Sequence, residues 1–307
     1  MRISDAIDRQ RVSVSPGSRS YRRAINAILK HLAAIALSGR KGLTTRDEVA
    51  LFTLVPEYAM LAVEAATLAS SAIVTIDLPN GSFVLPENLI SMLYLDHLIF
   101  GYAAFERAGD IVVYADPTQF TSITLKEDGS LSVIIREMED VSDRVGVITL
   151  HPNPYVFGFS VPELIPQTFI TLLLARNRIV YEVSQFRKPE VMIVTNEVMS
   201  TDEVNSRRRQ IIEQAEDDYG SFILYSHNAE DKPQVVVLDK KEVDLKDLNP
   251  IIEREVAILR KACGLPNDGS LSAVMVSFFD QLRSELERLF VEARVQVGLP
   301  DIAGDGE

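Results

Sequence analysis

The sequence has few of the residues and motifs that mark familiar chemistry. Among 307 residues there is one cysteine, Cys263. No intrachain disulfide can form, which fits a reducing compartment, and a buried, inert thiol is expected. No glycine-rich loop ends in Lys-Ser/Thr, and H-E-x-x-H, paired-cysteine and G-x-S-x-G motifs are all missing. Enzymes recognisable by those short motifs are therefore disfavoured. The opening residues, MRISDAIDRQ, lack an apolar segment, so a secretory signal is not expected.

Uninterrupted apolar runs are also scarce. Leu51 to Ile76 is broken by Pro56, Glu57 and Glu64, and Leu164 to Val183 by Pro166, Gln167, Arg176, Asn177 and Arg178. A membrane span needs about 20 nearly continuous apolar residues. Both stretches read as buried helices, and no membrane partner is expected.

The residues that are present describe a globular chain. Hydrophobic residues make up 47% and charged residues 24%, and the length suits one large or two modest domains. Charge is split along the chain. Residues 1–46 hold ten Lys/Arg against two Asp/Glu, a balance of +8, which leaves 21 against 42, a balance of −21, for the remainder. Such a body repels polyphosphate at long range and is unsuited to gripping nucleic acid. The basic head, with Arg9, Arg11, Arg19, Arg22, Arg23 and Lys30, reads either as a phosphate- or acid-binding surface or as a solvated arm.

Periodicity predicts helices over Ser20 to Leu37 and over Asp47 to Ser71, the second broken or kinked at Pro56. A short hairpin follows, Ile73 to Leu78 and Phe83 to Leu85, around Pro79-Asn80-Gly81. Pro86 to Leu98 returns to helical spacing and stops at Gly101. Five β-rich segments come next: Tyr102 to Glu106, Ile111 to Ala115, Ser122 to Lys126, Leu131 to Glu137 and Val145 to Leu150. They predict an antiparallel β region. Ser160 with Pro162-Glu163 starts a long helix reaching Phe186, roughly 40 Å at about 1.5 Å per residue.

Val191 to Thr195 is a predicted strand, and Ser200 with Glu203 looks like a capping box for a polar helix to Tyr219. Strands at Phe222 to Ser226 and Gln234 to Leu238 complete a βαββ insert. Helices over Lys246 to Ala262 and Leu271 to Val297 flank the loop Gly264 to Gly269. The fold class is α+β.

Candidate chemistry is sparse. His31, His97, His151 and His227 read as structural or solvated. Glu213, Glu216, Asp217 and Asp218, with Asp239 or Asp244, could hold a divalent cation, but consecutive carboxylates on one polar helix cannot all converge, and a solvated face is the better reading. Arg207, Arg208 and Arg209 either pair along their helix with Glu203 and Glu213 or dock an acidic partner. No metal, cofactor or catalytic residue is assigned.

Four stretches, in order, resemble portal proteins of tailed double-stranded DNA bacteriophages. They are the alanine-rich helix leading into a strand at Tyr58 to Ile76; Leu95 to Arg107 with the later Asp128-Gly129; His151 and Asn153 before Phe157-Gly-Phe-Ser-Val-Pro-Glu-Leu164; and Ile258 to Pro266, ending in Gly-Leu-Pro. The resemblance covers about Leu51 to Val297.

It implies a basic arm and helix over 1–46, an α+β wing over 47–160, a stem helix over 161–186, a βαββ clip over 187–245, a returning stem helix over 246–263, a channel loop over 264–270, a long helix over 271–298 and a tail over 299–307. The channel loop would present Leu265, Pro266, Asn267, Asp268, Gly269 and Ser270, and the clip would dock partners through Arg207, Arg208 and Arg209. The implied role is a structural, non-enzymatic ring, a dodecamer, that passes double-stranded DNA and meets a terminase packaging motor, major capsid protein and head-tail adaptor. It would be assembled in the host cytoplasm and housed in the virion. The chain is short for that family, so a crown is expected to be reduced or absent. A metal-dependent nuclease or phosphoesterase built around Glu213 and Asp239, and another virion adaptor component, are the competing readings.

Overall fold

Local chemistry starts the second helix. Thr44 and Asp47 form a reciprocal capping box, with Asp47 N donating to Thr44 Oγ1 at 3.3 Å and Thr44 N to Asp47 Oδ2 at 3.1 Å. The structure, a computed structural model of the chain, describes residues 19–38, 43–125, 131–135, 140–150, 158–185, 191–195, 221–225, 234–237, 248–266 and 271–299. They fall into two compact units. One comprises Met1–Gln10, Ile28–Leu172 and Glu253–Glu307, the other Arg11–Ala27 and Leu173–Ile252.

Helix α1 (Arg19–Ser38) buries Ile25, Ile28, Leu32 and Ile35 along one stripe. Helix α2 (Thr45–Leu54) meets α3 (Pro56–Ser70) at a bend of 100°, with Pro56 in the first turn of α3, where its missing N–H costs nothing. Buried Tyr58, Leu61, Ala62, Ala65, Ala66 and Ala69 form the inner face of α3, and the alanines let it lie close against α4 (Glu87–Phe100). Among the described residues no single helix is long and apolar enough to cross a membrane.

Between those helices sits the expected hairpin, β1 (Ile73–Leu78) and β2 (Gly81–Val84). Helix α4 ends at Gly101 in the left-handed region, and strands β3 (Tyr102–Ala108), β4 (Ile111–Ala115), β5 (Phe120–Leu125), β6 (Leu131–Ile135) and β7 (Val145–Thr149) follow. The β region is antiparallel, but it is two sheets. One has the order β4-β3-β7 and the other pairs β5 with β6.

Two long helices differ from expectation. The predicted helix from Ser160 to Phe186 is instead a short turn, α5 (Val161–Leu164), then α6 (Pro166–Gln185), because Pro166 has no N–H to continue the ladder and Ile165 leaves helical geometry at φ −129°. The predicted helix to Val297 ends early. Helix α8 (Ala273–Leu289) stops at Phe290, Glu292 takes a positive φ of 71°, and β11 (Arg294–Gly298) pairs with β1. The alternation Arg294-Val295-Gln296-Val297, with Val295 buried, has the strand period of two.

In the other unit β8 (Val191–Thr195) lies parallel to β9 (Ser221–Tyr225) and antiparallel to β10 (Gln234–Val237), in the order β10-β8-β9. The helix predicted over 200–219 lies outside the described residues. Helix α7 (Asn249–Ala262) precedes the Gly264 loop.

Candidate functional site

The loop between α7 and α8 is held at both feet. At the first, Leu265 N donates to Arg260 O at 3.0 Å and Gly264 N to Lys261 O at 3.0 Å, the paired bonds of a glycine-ended helix. Gly264 has φ +82°, and a Cβ there would stand 2.3 Å from the Tyr94 hydroxyl. At the second foot Ser272 Oγ accepts from Met275 N at 3.3 Å, capping α8, and donates to Gly264 O at 2.7 Å. One hydroxyl thus starts a helix and ties the loop's ends together.

Beneath the loop, Tyr94 of α4 donates from its hydroxyl to Cys263 O at 3.1 Å. Its ring meets Phe278 of α8 edge-on at 4.9 Å, and the His97 ring lies 5.2 Å from Phe278. Burial pushes the Cys263 thiol up to about 12, with Glu64 adding to the rise, so it is a core group and not a nucleophile at neutral pH. Leu265 is 3% exposed and belongs to the core, Pro266 is half-buried, and Asn267, Asp268, Gly269 and Ser270 lie outside the described residues.

Helix α8 also closes the outer edge of β7. In the β3 pairing, Val145, Val147 and Thr149 turn their backbone groups away from β3. Gln281 Oε1 accepts from Thr149 N at 2.9 Å, and Gln281 Nε2 donates to Thr149 O at 3.0 Å. Glu285 Oε2 accepts from Val147 N at 3.4 Å, and Arg288 Nη2 donates to Val145 O at 2.7 Å. Side chains on neighbouring turns of one helix face do what another strand would do.

Two buried carboxyls have distant partners that the sequence does not mark. Glu163, which caps α5 with Ser160, accepts from Ser160 N at 3.1 Å and also from Leu43 N at 3.1 Å, fastening the start of α2 to that of α5. In sequence it is legible as a cap; its distant partner is not. Asp96 is fully buried on α4 and accepts from the Tyr114 hydroxyl at 2.6 Å. Burial raises it to about 8; the Tyr114 bond opposes the rise, and the charge of Asp116 adds to it.

Of the other candidates, only His31 and His97 fall among the described residues, and neither belongs to a cluster of metal-ligating side chains there. Among the described residues no three His, Cys, Asp or Glu side chains group to hold a metal. His31 Nδ1 is 3.2 Å from Asp47 Oδ2 and His97 is buried, whereas His151, His227, the Glu213–Asp218 cluster, Asp239, Asp244, and Arg207, Arg208 and Arg209 lie outside the described residues.

No family model matches the sequence, and no curated protein does. Solved structures do. An HK97 family phage portal protein from Corynebacterium diphtheriae superposes with a TM-score of 0.50, at 12% identity, over 80% of this chain and 93% of that one. The chain has a portal-protein fold. Chains from the neck of the empty GTA particle (TM-score 0.44, 13% identity, 85% and 86% coverage) and of the native GTA particle (0.41, 12%, 90% and 90%) are similar more loosely. In this portal fold the order of elements expected from the sequence, helices and antiparallel strands followed by a three-stranded insert, a loop and a helix, is retained.

Proposed function

We propose that this chain is a portal subunit, a structural protein that forms a ring at a capsid vertex, conducts double-stranded DNA during packaging and ejection, and docks the packaging motor and tail. The observation that carries the reading is the likeness to the corynebacterial portal protein over 93% of that protein's length. The charge distribution supports it. With a balance of −21 beyond residue 46, the body neither condenses nor holds phosphates, and DNA slides past such a surface instead of sticking.

In this proposal residues 47–160 with 271–298 make the wing, α5–α6 and α7 the stem, and 187–245 the clip, on which Arg207, Arg208 and Arg209 meet an acidic face of the motor or adaptor. The loop over 264–270 faces the channel through Asn267, Asp268, Gly269 and Ser270, while Leu265 anchors it in the core. Tyr94, Ser272 and Phe278 give that loop a stiff base, as a part that meets moving DNA requires. The protein resides in the virion after assembly in the host cytoplasm, with the major capsid protein around it.

Negative-stain images and native mass spectra of the purified protein are expected to show closed rings with a central hole. A monomer at every concentration tested would sink the proposal. Deleting Asn267–Ser270 is expected to leave ring assembly unchanged and to impair packaging or retention of DNA. Normal packaging by such rings would remove the loop from the channel.

A further inference from the structure

Three buried carboxyls stand near one phenol where β4 passes into β5. Burial raises the Tyr102 hydroxyl, and the charges of Glu48, Asp96 and Asp116 add to the rise, which places all three around it. Asp96 Oδ2 accepts from the Tyr114 hydroxyl at 2.6 Å, whereas Asp96 Oδ1 is buried with no hydrogen-bond partner among the described residues. No described Lys or Arg pairs with Asp96. A negative charge on that carboxyl would be neither paired nor hydrated.

The same groups fasten the connector over 114–119. Tyr114 is tied to α4 through Asp96, and the Tyr102 hydroxyl of β3 donates to Pro117 O at 3.0 Å. Within the connector Asp116 Oδ1 accepts from Thr118 N at 2.9 Å, Gln119 N donates to Asp116 O at 3.1 Å, and Phe120 N donates to Pro117 O. The other elements packed on α4 bring no counter-charge to Asp96. On α3 Tyr58 donates to Leu98 O at 3.0 Å, on α5 Glu163 accepts from Ser160 N and Leu43 N, and His97 turns its ring to Phe278 of α8. The charge that does act on Asp96 is that of Asp116, and it has the same sign.

We propose that Asp96 is a proton latch for this connector: the neutral carboxyl holds it to α4 at its Tyr114 end, and the carboxylate, repelled by Asp116, releases it while the rest of the unit stays folded. The O–H proton passes to water as the opening hydrates the carboxyl, and the Tyr114 hydroxyl bonds water in its place. The held state keeps the proton up to about pH 8, and a hydrated aspartate loses it near 4, so opening becomes about tenfold easier with each pH unit between those values and levels off above 8. The latch goes beyond the ring reading and does not depend on it.

Hydrogen–deuterium exchange on the full chain tests it, with each amide's rate divided by that of an unstructured peptide at the same pH so that base catalysis of exchange cancels. Between pH 6 and 8 the protection of Thr118, Gln119 and Phe120 is expected to fall about tenfold per pH unit, while α3 stays protected. Asp96→Asn is expected to hold the connector's protection level across that range. Tyr114→Phe keeps the carboxyl but loses a bond that favours its ionised form, so there the fall is expected to continue above pH 8. A level profile in the unsubstituted chain, the same slope in Asp96→Asn, or a slope that still ends at pH 8 in Tyr114→Phe overturns the latch. Loss of protection in α3 in step with the connector overturns it too, because the opening is then global. None of these results touches the portal reading, which ring images decide.

Discussion

Gly101→Ala is expected to destabilise the protein by on the order of 4 kcal/mol, enough to leave much of it insoluble. Gly101 sits at φ +77°, where an L side chain alone costs roughly 1–2 kcal/mol. A Cβ there would also lie 2.5 Å from Phe159 C and 2.6 Å from Ser160 N. Both are backbone atoms, and Gly158 closes the same crossing from the other side, its own Cβ position falling 2.0 Å from Gly101 O. No rotamer change relieves that contact, so the strain adds roughly 1–3 kcal/mol more and spreads to the Ser160–Glu163 cap of α5. Gly109→Ala is the matched control. Its φ is +68° but nothing lies within 4 Å of its Cβ position, so only the conformational cost applies. Denaturant midpoints of the two variants should differ widely; equal midpoints would show that the crossing at Gly101 is not closed.

Asp96→Asn is expected to stabilise the protein at alkaline pH and to change how stability depends on pH. The folded state holds the Asp96 proton up to about pH 8, whereas the unfolded chain releases it near 4. Between those values the native state binds more protons, so this residue's contribution to stability is complete at about pH 4, declines as pH rises and is lost above about 8. One pH unit corresponds to about 1.4 kcal/mol, so the full effect is on the order of several kcal/mol. Asparagine keeps an acceptor for the Tyr114 hydroxyl and carries no charge at any pH. Urea unfolding of both proteins from pH 5 to 9 should show the variant gaining on the unsubstituted chain as pH rises. Parallel curves would mean that Asp96 does not hold a proton in the folded state.

The two carboxyls show how much of the candidate site could be read along the chain. Glu163 follows Ser160 at capping-box spacing, so its local role was legible, but its bond to Leu43 depends on two helix starts meeting in space. Asp96 lies in an apolar helix, and nothing nearby in sequence marks Tyr114 as its partner across to β4. The same holds for the β7 edge. Polar side chains at helical spacing are usually solvated, so nothing along the chain marks Gln281, Glu285 and Arg288, and only the position of β7 makes them backbone partners.

By itself the sequence determined what short-range physics controls. Alternating and helical periods placed most elements, Pro56 placed the bend between α2 and α3, Gly101 and Gly264 placed the helix stops, and the charge split placed the acidic body. Tertiary structure alone decided what depends on distant partners. The β strands divide into separate sheets because β7 pairs with β3 and not with its sequence neighbour β6. Residues 294–298 leave the expected helix because the edge of β1 offers them a ladder that helical spacing along the chain cannot reveal. The loop after α7 is anchored by Tyr94 of α4 and Ser272 of α8 for the same reason: hydrogen bonds and ring contacts form between atoms that folding brings together, and their energy is not written in any one segment.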